Sequence, residues 1–167
     1  MNKKVFCILL VIIELFLTGC TIIRQDKEAD IFIDTYLSSY EYLVDYLTDD
    51  YSLHFEGSNG KYIIDEDYKN NTISSLVRCG EDANYEITNS ELIKALETVS
   101  EATTYPLTDI YLTDERITFL SSEGMGGIIY MRSDKSPGYL ISPNEKRKNY
   151  SMYKICDHWY RVVMRLR

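Results

Sequence analysis

Six side chains in this sequence have the chemistry of a nucleophile, a general base or a soft metal ligand: Cys7, Cys20, Cys79, Cys156, His54 and His158. A zinc site needs cysteine and histidine clustered at close, regular spacing, and no such cluster is present. No metal and no cofactor is therefore expected. His158 stands beside Asp157 at a predicted turn, and His54 falls on a predicted strand. Both read as structural or surface residues. The alternative is a hydrolase-like site in which His54 or His158 works with a carboxylate or with Cys79. A catalytic thiol needs a nearby base to become a thiolate. Asp65-Glu66-Asp67-Tyr68-Lys69-Asn70 begins like a calcium loop. It then places Lys69 where a ligand belongs, Asn70 where glycine makes the sharp turn, and Leu76 where a bidentate glutamate closes the site. It reads as a solvated loop. Glu123-Gly-Met-Gly-Gly127 lacks the Lys-Ser/Thr of a phosphate loop and precedes a strand, so it reads as a hairpin turn.

The strongest chemical signal lies near the start. Lys3 and Lys4 precede an almost wholly apolar run from Val5 to Leu17, and Leu17-Thr18-Gly19-Cys20 ends it. A positive start, a short apolar stretch and a small-residue exit describe a secretory signal. The run is short of the roughly 20 residues that span a bilayer. Leu17-Thr18-Gly19-Cys20 resembles the lipobox of bacterial lipoproteins: aliphatic, small, Gly or Ala, then cysteine. Glu14 departs from the usual apolar run. The resemblance implies diacylglyceryl transfer to the Cys20 thiol, cleavage between Gly19 and Cys20, and an extracytoplasmic protein held at the cell membrane. On that reading residues 1–19 are a signal peptide. Residues 20–29 are the lipidated cysteine and a short tether, and residues 30–167 are one domain. Two acyl chains hold stably where one does not.

Cys79 and Cys156 would then share an oxidising compartment. Two readings stay open: a disulfide closing a long loop, or two unrelated cysteines, one buried as a small apolar side chain.

Removing the leader takes the formal charge from −8 to −9. An acidic chain is a poor partner for nucleic acid. The charge is uneven: Thr21 to Met131 holds 7 basic and 22 acidic residues, and Arg132 to Arg167 holds 9 basic and 3 acidic. The basic end reads either as a patch facing anionic headgroups or wall polymers, or as strands pairing with acidic neighbours in the same domain. The 15 tyrosines read mainly as half-buried strand and helix residues.

The elements that position these groups follow from periodicity. Ile33, Tyr36, Leu37, Tyr40, Leu43, Val44 and Leu47 predict an amphipathic helix over Ile31 to Leu47. Tyr51–Glu56 and Lys61–Asp65 predict a hairpin around Gly57–Gly60, then a polar loop over Asp65–Asn71 and a strand over Thr72–Arg78, with Cys79 as its furthest extent. Thr88 with Glu91 predicts a capping box for a second helix ending near Glu101. Asp109–Thr113, Arg116–Ser121, Gly127–Arg132, Tyr150–Cys156 and Trp159–Leu166 predict five strands. Short connections imply antiparallel neighbours. The expected fold is α+β: a mainly antiparallel sheet, with a C-terminal meander and hairpin, covered by two amphipathic helices. Gly127-Ile-Ile-Tyr130 with Trp159-Tyr160 resembles uncharacterised small exported proteins of low-GC Gram-positive bacteria. That resemblance implies no activity.

The expected function is a lipid-anchored, non-enzymatic interaction module at the cell envelope, with an envelope protein or wall polymer as partner. The alternatives are the enzyme described above and an immunity-type protein that intercepts a toxin. The sequence leaves the oligomeric state unassigned.

Overall fold

The computed structural model describes residues 27, 29–55, 59–67, 72–80, 83–103, 106–122, 126–135 and 150–164. It is an α+β fold, mostly sheet, with one long and one short helix. A π-helical turn, Phe32–Tyr36, leads into α1, Leu37–His54. β1 is Gly60–Asp67, β2 Thr72–Cys79 and β3 Asn84–Ile87. The short helix α2 is Ser90–Ser100. β4 is Leu107–Leu112, β5 Arg116–Ser121, β6 Gly126–Met131, β7 Tyr150–Cys156 and β8 Trp159–Met164. The eight strands form one sheet in the order β3-β2-β1-β4-β5-β6-β8-β7, antiparallel at every step.

Register explains which side chains face the helices. Tyr85, Arg78, Tyr62, Ile110, Phe119, Ile128, Arg161 and Tyr153 stand opposite one another across all eight strands. The middle of that row joins Tyr40, Leu43, Leu47, Leu92, Leu96 and Val99 from the helices in one buried cluster. The neighbouring row, Lys61, Tyr111, Thr118, Ile129, Tyr160 and Lys154, points to the other face. There Ile129, Met131 and Val162 form a small second cluster. Each fully buried Leu, Ile or Phe contributes about 1.5–3 kcal/mol. β5 and β6 approach so closely that a Cβ on Gly127 would lie 2.1 Å from the Phe119 carbonyl oxygen.

Several expectations are corrected. Tyr51–Glu56 is not a strand: residues 51–54 are the last turn of α1, and residues 56–58 lie outside the described residues. Its Tyr51-Leu53-Phe55 alternation looks like a strand. Tyr51 and Phe55 instead continue the four-residue stripe from Leu47, and Leu53 is left 76% exposed. The first hairpin is accordingly β1 with β2. Asp65–Asp67 belong to β1 and not to a loop. β3 went unforeseen. The cap of α2 is Asn89 and not Thr88: its Oδ1 accepts from the Glu91 and Leu92 amides at 2.9 and 3.1 Å. β4 begins two residues before the expected start. The loop segment 136–149, with the basic run at 146–148, lies outside the described residues, as does Cys20.

The disulfide reading is also corrected. Cys79 and Cys156 are free thiols. They sit on β2 and β7 with five strands between them. Six strand spacings amount to on the order of 25–30 Å, whereas a disulfide needs Cα atoms within about 7 Å. The free-thiol arrangement predicts that both cysteines react with a thiol reagent in the unfolded, unreduced protein. Cys79→Ser and Cys156→Ser would each leave the melting temperature within about 4 °C. Thiols that appear only after reduction would contradict it.

Candidate functional site

The residues with chemical potential fall in three places. The first is a polar knot at the C-terminal end of α1. Asp50 lies three residues beyond the predicted end of the helix, where a carboxylate is unfavourable to the dipole. The sheet supplies the compensation. Arg78 Nη1 donates to Asp50 Oδ1 at 2.8 Å, and the Tyr62 hydroxyl donates to Oδ2 at 2.6 Å. Both side chains of the ion pair are about 15% exposed or less. Tyr85 on the edge strand lies over the Arg78 guanidinium at 4.8 Å. Burial, then the hydrogen bond to Asp50, pushes the Tyr62 phenol far above its ordinary value. His54 belongs to the same helix end. Its Nε2 stands 3.7 Å from Asp50 Oδ1, beyond hydrogen-bond distance, and the ring is 42% exposed. Cys79 follows Arg78, so on a strand it faces away from this knot. The sheet therefore does not bring His54 and Cys79 together.

The second place is the β7–β8 turn, Asp157-His158. His158 has φ of +66°, a left-handed conformation costing on the order of 1 kcal/mol for a residue with a Cβ. Its Nδ1 lies 2.9 Å from the Met131 carbonyl oxygen, and its own carbonyl accepts from the Met131 amide at 2.8 Å. Nε2 is 3.7 Å from Asp134 Oδ1, a fully exposed carboxylate. His158 thus staples the hairpin to the end of β6. Lys154 pairs with Asp157 at 2.7 Å, so one basic residue of the C-terminal third finds its acid inside the same hairpin. Burial pushes the Cys156 thiol up, the wrong direction for a nucleophile.

The third place was not singled out from sequence. A cleft of about 460 Å³ opens between the outer flank of α1 and the end of β6, lined by Val44, Asp45, Thr48, Asp49, Tyr130 and Arg132. Arg132 is the first residue after β6. Its amide donates to the Glu115 carbonyl at 2.9 Å, and the adjacent Met131 amide is held by His158, so its backbone is fixed from both sides. The guanidinium lies 5.4 Å above the Tyr51 ring and donates only a long hydrogen bond, Nη2 to Thr48 Oγ1 at 3.4 Å. Arg132 Nε is buried without a hydrogen-bond partner. Among the described residues, no carboxylate comes within 4 Å of this cation. Tyr130 forms the far wall, its ring 4.9 Å from Trp159 and 5.9 Å from His158. Nothing in the local sequence marks Arg132; the signal is the meeting of a helix flank with a strand end.

Two further hollows lie at the opposite end. One, of about 170 Å³, is lined by apolar residues including Phe32, Tyr36 and Ile128, with Lys154 and Arg161 at its side. The other is acidic, with Glu66, Asp67, Glu97 and Glu101. Among the described residues no group of three or more His, Cys, Asp or Glu side chains is arranged to hold a metal.

Comparison with family models, with curated proteins and with solved structures finds no match to this chain. The site must be argued from its own chemistry.

The polar knot makes a quantitative prediction. Arg78→Met strands the Asp50 carboxylate and is expected to lower unfolding stability by about 3 kcal/mol. The double variant Asp50→Leu/Arg78→Met should recover at least half of that, because a buried pair replaced by apolar side chains loses little. Urea unfolding of the four proteins in the cycle measures it. Additive losses would show that the pair is not coupled.

Proposed function

We propose that this chain is a bacterial lipoprotein, exported, cleaved between Gly19 and Cys20, and diacylated on the Cys20 thiol. It serves as an interaction module on the extracytoplasmic face of the cell membrane. The observation that carries this reading is Leu17-Thr18-Gly19-Cys20 at the end of a short apolar run. In this reading residues 20–29 are the lipidated cysteine and a short tether. Even fully extended, that tether reaches about 30 Å, which keeps the domain close to the bilayer. Among the described residues, no helix is long and apolar enough to cross a membrane. In this reading the anchor is lipid, and the partner is an envelope protein or wall polymer and not nucleic acid. No cofactor takes part.

The binding reading is favoured over the enzymatic one by where the two imidazoles go. His158 spends its Nδ1 on a backbone carbonyl, and His54 lies on the exposed end of α1. We read the two helices as the amphipathic cover of one sheet face, and β4, β5, β6 and the β7–β8 pair as a meander closed by a hairpin. The stripes Tyr40-Leu43-Val44-Leu47 and Leu92-Ala95-Leu96-Val99 support this. Toxin interception is a second reading, and the acidic cleft favours it. Four carboxylates of one sign would steer a cationic partner.

Membrane fractionation of the full chain expressed in a lipoprotein-processing host tests the anchor, with mass spectrometry of the purified product. The mature protein is expected to begin at a diacylated Cys20. Cys20→Ser is expected to abolish the lipid and the cleavage at Gly19 that depends on it. An intact Met1 or an unmodified sulfur at position 20 would overturn the proposal.

A further inference from the structure

We propose that the outer face of β6 and β8 is a docking seat for the chain's own segment 136–149, whose apolar stretch Tyr139-Leu140-Ile141 covers Ile129, Met131 and Val162. This goes beyond the binding-module reading and does not depend on the lipid anchor.

Ile129, Met131 and Val162 lie on the face turned away from the helices, yet they are only 1, 4 and 2% exposed. Side chains on an open sheet face keep contact with water. Among the described residues, Tyr160 packs partly buried against them, but it stands on the same face and cannot roof it. The covering is local. Thr118, opposite Ile129 on β5, is buried as well. Burial also lowers the guanidinium of Arg116, opposite Met131, below its ordinary value. Further along the same face, Ile63 on β1 and Tyr111 on β4 are 37 and 38% exposed. The occupant therefore sits over β5, β6 and β8 and thins out toward β4.

Strand order says which part of the chain has to pass there. β6 and β7 are each antiparallel to β8, so they run parallel to one another with β8 between them. Tyr150 opens β7 at the end of the sheet where Gly126 opens β6. The chain leaving Met131 must return along the sheet and step across β8. That path is about 20 Å, and residues 136–149 alone reach about 45 Å when extended. The helix side of β8 is already taken, since Trp159 packs there on Phe32 and Tyr40 at 5.9 and 5.3 Å.

Chirality selects the same face. In a strand of L-residues, viewed from the face a side chain points to and with the strand running up, that residue's N–H and C=O point right. Met131 points to the outer face, and its amide donates to the His158 carbonyl at 2.8 Å. Seen from the outer face, β8 and then β7 therefore lie to the right of β6. The Val162 carbonyl agrees: it points back at β6, 2.7 Å from where a Cβ on Gly126 would stand. A right-handed crossover to a strand on the right passes in front of the sheet, and here the front is the outer face. Within 136–149, Tyr139-Leu140-Ile141 is the one apolar run, set between Pro137-Gly138 and Pro143.

The test is NMR of the methyl-labelled full chain in deuterated detergent micelles. Nuclear Overhauser contacts are expected from the Ile129, Met131 and Val162 methyls to the side chains of residues 139–141. The double variant Leu140→Ser/Ile141→Ser should lower the melting temperature by roughly 5–10 °C. Asn144→Ser/Glu145→Ser, in the polar part of the same segment, should leave it within about 2 °C. Contacts from those methyls to residues 1–26, to residual detergent protons, or to a second copy in a mixed-label sample, in place of residues 139–141, would overturn the proposal. So would the absence of any contact to residues 139–141, or an unchanged melting temperature for the Leu140/Ile141 variant. None of these outcomes depends on whether Cys20 carries lipid.

Discussion

The whole arrangement rests on the seat of Tyr40. Its ring has no exposure and is held by three others: Phe32 at 5.3 Å, Phe119 at 5.0 Å and Trp159 at 5.3 Å. Its hydroxyl reaches the Val99 carbonyl of α2 at 3.5 Å. One side chain thereby touches the π-helical entry, the second helix, a central strand and the C-terminal hairpin. Such ring pairs contribute about 0.5–1.5 kcal/mol each beyond the area they bury. Burial pushes the Tyr40 phenol far above its ordinary value, so the folded protein keeps it neutral. The contact fixes the height of α1 on the sheet. From that height the far end of the helix brings Asp50 to Arg78 and Tyr62, and its outer flank brings Thr48 to Arg132. The cleft follows from this packing and was not built by a local motif. The ring contacts also continue from Trp159 to Tyr130 and on to His158, so the cleft wall leans on the same cluster.

Much of the fold was legible in the sequence because burial imposes period. β5 and β7 carry the expected bounds, β8 begins at the expected Trp159 with residues 165–166 outside the described residues, and β1, β2 and β6 differ from theirs by a residue or two. The stripe Tyr40, Leu43, Val44 and Leu47 is buried as periodicity required. Ile33 was expected inside and is 42% exposed, while Phe32 is buried. The π-helical turn explains the exchange: its wider turn shifts the face by one position ahead of Tyr40. The Tyr51–Phe55 segment satisfied two periods at once, and packing against Gly60 and Tyr62 chose the helical one. β3 carried almost no signal, since Asn84, Tyr85 and Glu86 are all exposed on an edge strand.

The cleft at the end of β6 was not legible in the sequence. The proposed anchor at Cys20 rests on its sequence neighbours alone and lies outside the described residues. Arg132 is not marked by its neighbours, because its meaning comes from a helix flank 84 positions away. The histidines drew attention as reactive types, but geometry gives one to a turn and the other to a helix end. Cys79 and Cys156 invited a bridge by number alone, and strand order keeps them apart.

The central claim is that the aromatic seat under Tyr40 holds α1 on the sheet, and the lone tryptophan reports on it directly. Trp159 is 3% exposed and in contact with Tyr40, Phe32 and Tyr130. Its fluorescence should be blue-shifted and resistant to acrylamide quenching in the full chain, and become accessible in Tyr40→Ala. A red-shifted, freely quenched Trp159 in the cooperatively folded wild-type protein would contradict the account.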